Sequence, residues 1–299
     1  MYVITSIMVK KLRLATNAGI MECKNALKNT NGDLEKAAIY LRTKGIIKAS
    51  AKLHRIKKNG IINIQSTNNT EYAEAVMLEM NCETDFAAKN NLFSNLSQDI
   101  SNHIINKFNT YNNFIEGKII ENEQYINSIN TTISEKIKEV IAIIGEGINL
   151  KGFVKVKGNI IGTYLHNNSQ IGTLISINII EDYTKHLNEL QLFANDLAMH
   201  ITALAPQFID INQIPNDFIE QEKNIIKDQM IKILKNKPNN IIDKILSDKL
   251  KKNLSEICFI NQQFVKNPKI CIHEFIKNME KNLSINIKIN TYFRFQVGI

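Results

Sequence analysis

Residues 60–89 read GIINIQSTNNTEYAEAVMLEMNCETDFAAK, and the fold turns on how this stretch divides. IINIQS and EYAEAVMLEMN are apolar, strand-like runs, and Thr67-Asn68-Asn69-Thr70 between them is a cluster of turn formers, so the pair predicts a β-hairpin. Cys82-Glu83-Thr84-Asp85 then opens a long helix with Phe93, Leu96, Ile100 and Ile104 on its apolar side. Within NCETDFAAK (81–89), Thr84 is the expected helix cap, Asp85 complements the positive helix end, and Phe86, seven residues before Phe93, falls on the core face.

Downstream the theme returns. Residues 109–130 are rich in Asn and read as a variable excursion, and a helix follows at about 132–144. FVKVKGNIIGTYLH, the turn Asn167-Asn168-Ser169-Gln170 and IGTLISINII then form a second hairpin, followed by an amphipathic helix from about Leu187 to Leu204. Hairpin followed by helix, twice and at similar length, predicts an α+β protein with two related lobes built on antiparallel sheets. The first spans 60–150; the second spans 151–210 and 256–299. Between the two parts of the second, after Pro215, apolar Phe218, Ile219, Ile225, Ile226, Ile233 and Leu234, a break at Lys237-Pro238, and Ile241, Ile242, Ile245, Leu246 and Leu250 predict an inserted helical hairpin arm over 211–255. Its apolar seam is open to a partner chain, which makes a homodimer through 211–255 the expected self-association. A helix near 271–281 and the alternating INIKINTYFRFQV end the pattern.

Upstream, residues 1–47 hold three short helices. The first is capped by Thr5 and breaks at Thr16-Asn17-Ala18-Gly19; the second runs from Ile20 to Lys28 and ends at Asn31-Gly32; the third starts after Asp33 and stops at Gly45. Residues 48–59 (KASAKLHRIKKN) read as a basic linker. The apolar run within Met1 to Arg13 is too short for a signal peptide, so the segment reads as the start of a domain.

At 299 residues, with 44% hydrophobic and 22% charged residues, the chain has the make-up of a multi-domain globular protein. Ile (52), Asn (40) and Lys (33) dominate, while Arg numbers 4 and Trp is absent. That is the signature of an AT-rich genome. The net charge of +8 therefore points less strongly to nucleic acid than it otherwise would, since Lys accumulates on solvated faces and phosphate or guanine readout favours Arg. A basic RNA-binding protein is the alternative that the charge favours. Four cysteines without a C-x-x-C pair fit neither a disulfide framework nor a zinc site and place the chain in a reducing compartment. No Gly-rich phosphate loop, G-x-G-x-x-G, H-E-x-x-H or G-x-S-x-G occurs, and the six histidines (54, 103, 166, 186, 200, 273) are dispersed, so no cofactor, metal or catalytic residue is expected. A Cys82 nucleophile is the remaining enzymatic reading.

Several strings resemble the translation elongation factor Ts family, in order along the chain: TNAGIMECKNAL (16–27), NGDLEKA, LRTKG, NCETDFAAK (81–89), TYLHNNSQIGTLI (163–175), DLAMHITALAP (196–206), QQFVKNP (262–268) and RFQVG (294–298). The resemblance implies a three-helix, UBA-like N-terminal module and a nonenzymatic guanine-nucleotide exchange factor of the bacterial cytoplasm, acting in protein biosynthesis. Its implied partner is elongation factor Tu, GDP-bound and nucleotide-free, with no membrane or nucleic acid required. It further implies that Thr84, Asp85, Phe86 and Ala87 displace the partner's Mg²⁺, that Lys24 lies in the module docking on the partner's nucleotide domain, and that His166 is a hairpin contact. His200 and Met199 are expected to be packing residues. The chain departs from the family where Asn167-Asn168-Ser169-Gln170 replaces the usual glycines and basic residue, so the resemblance does not extend to the tightness of that hairpin tip or to its charge contact. Gln263 replaces a proline. After RFQVG, contacts from the helical module that some members append are expected to be absent or replaced.

Overall fold

The computed structural model describes residues 4–16, 18–52, 55–68, 72–126, 128, 130–234 and 239–299. Asn17, His54, the turn residues Asn69 and Thr70, and the Lys237-Pro238 break lie outside the described residues. The protein mixes helices with antiparallel sheets, and it begins with three helices. Among the described residues no helix is long and apolar enough to cross a membrane.

Helices α1 (Ser6–Thr16), α2 (Ile20–Asn29) and α3 (Leu34–Lys52) close around Leu12, Cys23, Ala26, Leu27 and Ala37. The sharp α2–α3 corner follows from its residues. Asn31 (φ 52°) and Gly32 (φ 84°) take the left-handed conformation, and the Asp33 carboxylate accepts the Lys36 N–H at 3.0 Å as an N-cap. The expected stop at Gly45 is not observed: α3 continues to Lys52, so the first part of the expected basic linker is helical. The reason is non-local. A Cβ at position 45 would sit 2.9 Å from the Ala142 Cβ, on a helix against which α3 packs, so this glycine permits close approach instead of ending a helix.

The first sheet contains β1 (Asn59–Asn68), β2 (Ala73–Cys82), β3 (Phe114–Glu116) and β4 (Ile148–Gly158) in the order β1-β2-β4-β3, all antiparallel. Every residue of β2 is buried. Val76, Leu78, Met80 and Cys82 face the short α4 (Asp85–Ala88), α5 (Asn91–Lys107) and α6 (Ile133–Ile144), while Ala73, Ala75 and Met77, with Val154 and Val156 of β4, pack against Ile161 and Leu174 of the second sheet. Residues 109–130 are not a bare excursion: they supply β3 and a 3₁₀ turn at Gly117–Ile119, and they bury Ile120 and Tyr125.

The second sheet, β5 (Ile160–His166), β6 (Ile171–Ile179) and a strand at Ile287–Gln296, has order β5-β6-final strand. It is covered by α7 (Leu187–Leu204), whose Leu190, Phe193, Ala194, Leu197 and Ile201 share a core with Ile175, Ile177, Phe259, Phe264 and Ile272. The run FVKVKGNIIGTYLH is thus split between sheets. β4 stays in the first sheet through Gly158, and Asn159 carries the crossing, its Oδ1 accepting the Ile179 N–H at 2.8 Å. The expected boundary at 150/151 falls inside β4.

Helices α8 (Asn216–Leu234) and α9 (Asn239–Ile257) pack on each other, burying Ile226 against Leu246. Their described seam is therefore filled within the pair, while Ile225 is left 47% exposed. Two short strands, β7 (Gln263–Phe264) and β8 (Asn267–Cys271), and α10 (Ile272–Leu283) lead into the final strand, β9 (Ile287–Gln296).

One buried charge ties α5 to the first sheet. The Lys155 ammonium, its side chain 2% exposed, donates to the Ile105 carbonyl at 2.8 Å and the Phe108 carbonyl at 2.7 Å, and pairs with Glu74 at 3.0 Å. These bonds complete the C-terminal end of α5, where a cation is favourable. Removing one member of such a buried pair leaves the other charge uncompensated, so K155A is expected to lower unfolding free energy by about 3–5 kcal/mol in a urea titration. A loss below about 1 kcal/mol, the exposed-pair value, would contradict this role for Lys155.

Candidate functional site

Strand β2 ends at Cys82 and delivers Glu83 to Ala88 to the surface as a tight turn. Thr84 is extended (φ −126°, ψ 161°) and its hydroxyl oxygen accepts the Ala87 N–H at 3.3 Å, capping α4. The long helix expected from Cys82 onward is divided. Asn90 accepts the Leu92 N–H at 2.9 Å and starts α5 afresh, so only four residues belong to α4. The break takes Phe86 off the face of Phe93: Phe93 is fully buried, whereas Phe86 is 79% exposed. The expectation that Phe86 lies on the core face is therefore corrected. Ala87, 3% exposed, is the residue that points inward. Asp85 pairs with Lys89 at 3.0 Å, and this hydrogen bond holds the Asp85 carboxyl below its ordinary range.

The turn is fastened by residues the sequence pattern did not single out. Glu146, between Gly145 and Gly147, accepts both the Thr84 N–H (3.0 Å, Oε2) and the Thr84 hydroxyl (2.8 Å, Oε1). In return the Glu83 carboxylate accepts the Gly147 N–H at 2.6 Å and is flanked by Arg55 at 3.3 Å. The Gly147 bond is the main reason that the Glu83 carboxyl is held below its ordinary value. Gly145 closes α6 in the left-handed conformation (φ 88°), and its carbonyl accepts a bond from Lys52 at the end of α3. At position 147 a Cβ would lie 2.5 Å from the Lys52 carbonyl. The G-E-G spacing was the available signal, but only the fold shows what it faces.

Cys82 is not placed to act as a nucleophile. It is fully buried, its thiol donates to the Thr84 carbonyl at 3.1 Å, and burial, reinforced by the Glu146 charge, pushes its pKa up to about 12. Among the described residues no group of three or more His, Cys, Asp or Glu is placed to hold a metal ion.

The other residues singled out from the sequence lie elsewhere. Lys24 is exposed on α2, above buried Cys23 and Leu27 and beside Ile20 and Met21, which are 55% and 64% exposed. His166 is exposed at the end of β5 and stacks on Tyr164 with ring centroids 6.1 Å apart. No hydrogen bond or ion pair among the described residues joins either to the turn. The hairpin tip after His166 is not loose. Asn167, Asn168 and Ser169 all take positive φ (53°, 52° and 66°), which asparagine tolerates better than most residues, and Gln170 N–H returns to the His166 carbonyl at 3.1 Å. Behind it, Ile62 N–H donates to the Ser169 carbonyl at 2.7 Å and Val297 N–H to the Gln170 carbonyl at 2.9 Å. Tertiary bonds do here what glycines do by conformational freedom. His200 is fully buried, with Nδ1 accepting the Val265 N–H at 3.2 Å and Nε2 facing Gln262 Oε1 at 3.0 Å. Those partners fix the neutral tautomer protonated on Nε2, and burial lowers its pKa, as suits a packing residue.

Three thiols (Cys23, Cys82, Cys258) are buried and Cys271 is partly exposed. Reaction with a disulfide reagent at pH 8 should consume one equivalent at once, at Cys271, and the remaining three only as denaturant opens the fold. Rapid native labelling of Cys82 would contradict the geometry of the turn.

The turn and everything after it, to Ile299, coincide with a known family. The family model described as elongation factor TS matches residues 83–299, beginning at Glu83 and covering more than half of the chain. That family comprises translation elongation factors whose role in protein biosynthesis is nucleotide exchange and not catalysis of a chemical reaction. On the strength of that match, the chain belongs to the elongation factor Ts family.

Proposed function

We propose that this protein is the guanine-nucleotide exchange factor of elongation factor Tu in the bacterial cytoplasm, and that the turn Thr84–Ala87 is the part that displaces Mg²⁺ from the GDP-bound partner. The observation that carries this reading is the contrast within the turn. Phe86, a large apolar side chain, is 79% exposed, while the backbone on either side is fixed by Ala87 burial and by the Thr84–Glu146 bonds. An exposed aromatic on a fixed support is poised to be buried by something else.

The chemistry needed is modest. In GTPases of this kind Mg²⁺ bridges the phosphates and a backbone cradle holds them, so GDP leaves when either is shifted, with no covalent bond broken. Burying Phe86 between partner elements is worth about 1.5–3 kcal/mol. At 1.4 kcal/mol per tenfold, that wedge alone changes nucleotide affinity about 10- to 100-fold. Larger acceleration needs further contacts, for which Lys24 with exposed Ile20 and Met21 on α2, and His166 at the β5–β6 tip, are the candidates. Because coupling is reciprocal, the factor that binds nucleotide-free elongation factor Tu tightly is expelled when GDP or GTP returns.

The module of residues 1–47, the two α+β lobes and the 211–255 arm serve in this reading as a frame that holds these patches apart. In this reading the first lobe ends at Gly158, where the chain leaves the first sheet for the second. The arm is the candidate homodimer contact. Its described seam is filled internally, so self-association would use residues such as the half-exposed Ile225.

Release of labelled GDP from purified elongation factor Tu should accelerate at catalytic amounts of the protein, and F86A should blunt that stimulation about 10- to 100-fold. No acceleration by the unmodified chain would overturn the proposal, and salt-sensitive RNA binding of comparable strength would favour the RNA-binding alternative.

A further inference from the structure

We propose that Glu146 is a positioning residue for exchange: its carboxylate orients the Thr84 hydroxyl and, through it, sets where Phe86 is presented. The proposal rests on the assignment of Phe86 above and adds the residue that makes its placement possible.

Phe86 cannot hold its own position, because it is 79% exposed. Nor can α4, since four residues are far below the length at which a helix sustains itself. What remains is the burial of Ala87, the bond from the Cys82 thiol to the Thr84 carbonyl at 3.1 Å, and the cap from Thr84, and of these only the cap depends on how the Thr84 hydroxyl is turned. A threonine hydroxyl has one proton and two lone pairs and rotates to suit its surroundings. Here the proton is committed to Glu146 Oε1 at 2.8 Å, which leaves a lone pair for the Ala87 N–H at 3.3 Å. Oε2 of the same carboxylate takes the Thr84 N–H at 3.0 Å, so both oxygens are used on one residue. Charge-assisted, two-point contacts of this kind fix geometry as well as adding strength.

Glu146 is itself held in place. Gly145 O accepts from Lys52, Gly147 N–H donates to Glu83 Oε1 at 2.6 Å, and there is no room for a Cβ at 147. Two carboxylates therefore cross between the turn and the α6–β4 loop, Glu83 in one direction and Glu146 in the other. Glu83 also receives Arg55, and its carbonyl accepts from Asn59 Nδ2 at 2.8 Å, so the residue before Thr84 is fixed independently of Glu146. Loss of Glu146 should then release the Thr84 N–H and hydroxyl, and with them the cap that presents Phe86, while Cys82 and Glu83 keep the end of β2 in place.

The test is a double-mutant cycle in the full chain, read as maximal stimulated release of labelled GDP from elongation factor Tu. E146A is expected to lower stimulation about 3- to 30-fold, the range for loss of a helix cap. E146Q should fall between E146A and the unmodified chain, because its amide offers one acceptor oxygen where two donors arrive. Placed on F86A, either substitution should change stimulation by less than about twofold, since its effect passes through Phe86. Hydrogen exchange of the Ala87 amide should quicken in E146A and E146Q while the β2 amides stay protected, which separates release of the turn from general unfolding. Full additivity of E146Q with F86A, or unchanged exchange with both Glu146 variants, overturns the proposal alone. If F86A itself stimulates like the unmodified chain, the assignment of Phe86 fails and this proposal with it.

Discussion

A strand buried on both faces has no freedom of register, and β2 is such a strand. Its residues alternate between the helices α5 and α6 on one side and the second sheet on the other, while its backbone groups pair in unbroken register with β1 and, with one shift between Glu79 and Met80, with β4. Slipping by one residue would exchange every contact on the two faces. The register therefore fixes where Cys82 ends, and Cys82 fixes where Thr84 begins. The exposed turn inherits its precision from the most buried element of the protein.

Three other parts of the chain converge on that turn. Helix α3 packs along α6 and brings Lys52 to the Gly145 carbonyl; the segment after it brings Arg55 to Glu83; the α6–β4 loop brings Glu146 to Thr84. The N-terminal module, which carries Lys24, and the turn, which carries Phe86, are thereby parts of one connected structure. A factor that must press on two places of a partner needs them at a fixed spacing, because slack between them lets one contact form without straining the other.

Much of this was legible in the sequence. The caps at Thr5, Asp33 and Thr84, the turn at Asn31-Gly32 and the apolar, strand-like run of β2 are local rules, and the structure follows them. What could not be read depended on partners distant in sequence. Gly45 looks like a helix stop until Ala142 is seen beside it. FVKVKGNIIGTYLH is continuous in pattern, and only strand pairing divides it at Asn159. Residues 109–130 hide Ile120 and Tyr125 among many Asn residues, since codon bias dilutes a short apolar signal. The site was partly legible: Thr84 to Ala87 form one contiguous feature, whereas Glu146, 62 positions further on, is marked only by its flanking glycines, which do not show what it faces. The tightness of the Asn-rich tip after His166 was not legible either, because tertiary hydrogen bonds supply what its residues lack.

The central claim is that the Phe86 turn acts on the partner's Mg²⁺. It is tested most directly by comparing GDP release stimulated by the unmodified chain and by F86A, first with saturating Mg²⁺ and then after chelation. If the turn works by displacing the ion, the advantage of Phe86 should be large with Mg²⁺ and should nearly vanish once the ion is gone, because its work has then been done by the chelator. An advantage of the same size under both conditions would contradict the account and place the action of Phe86 elsewhere on the partner.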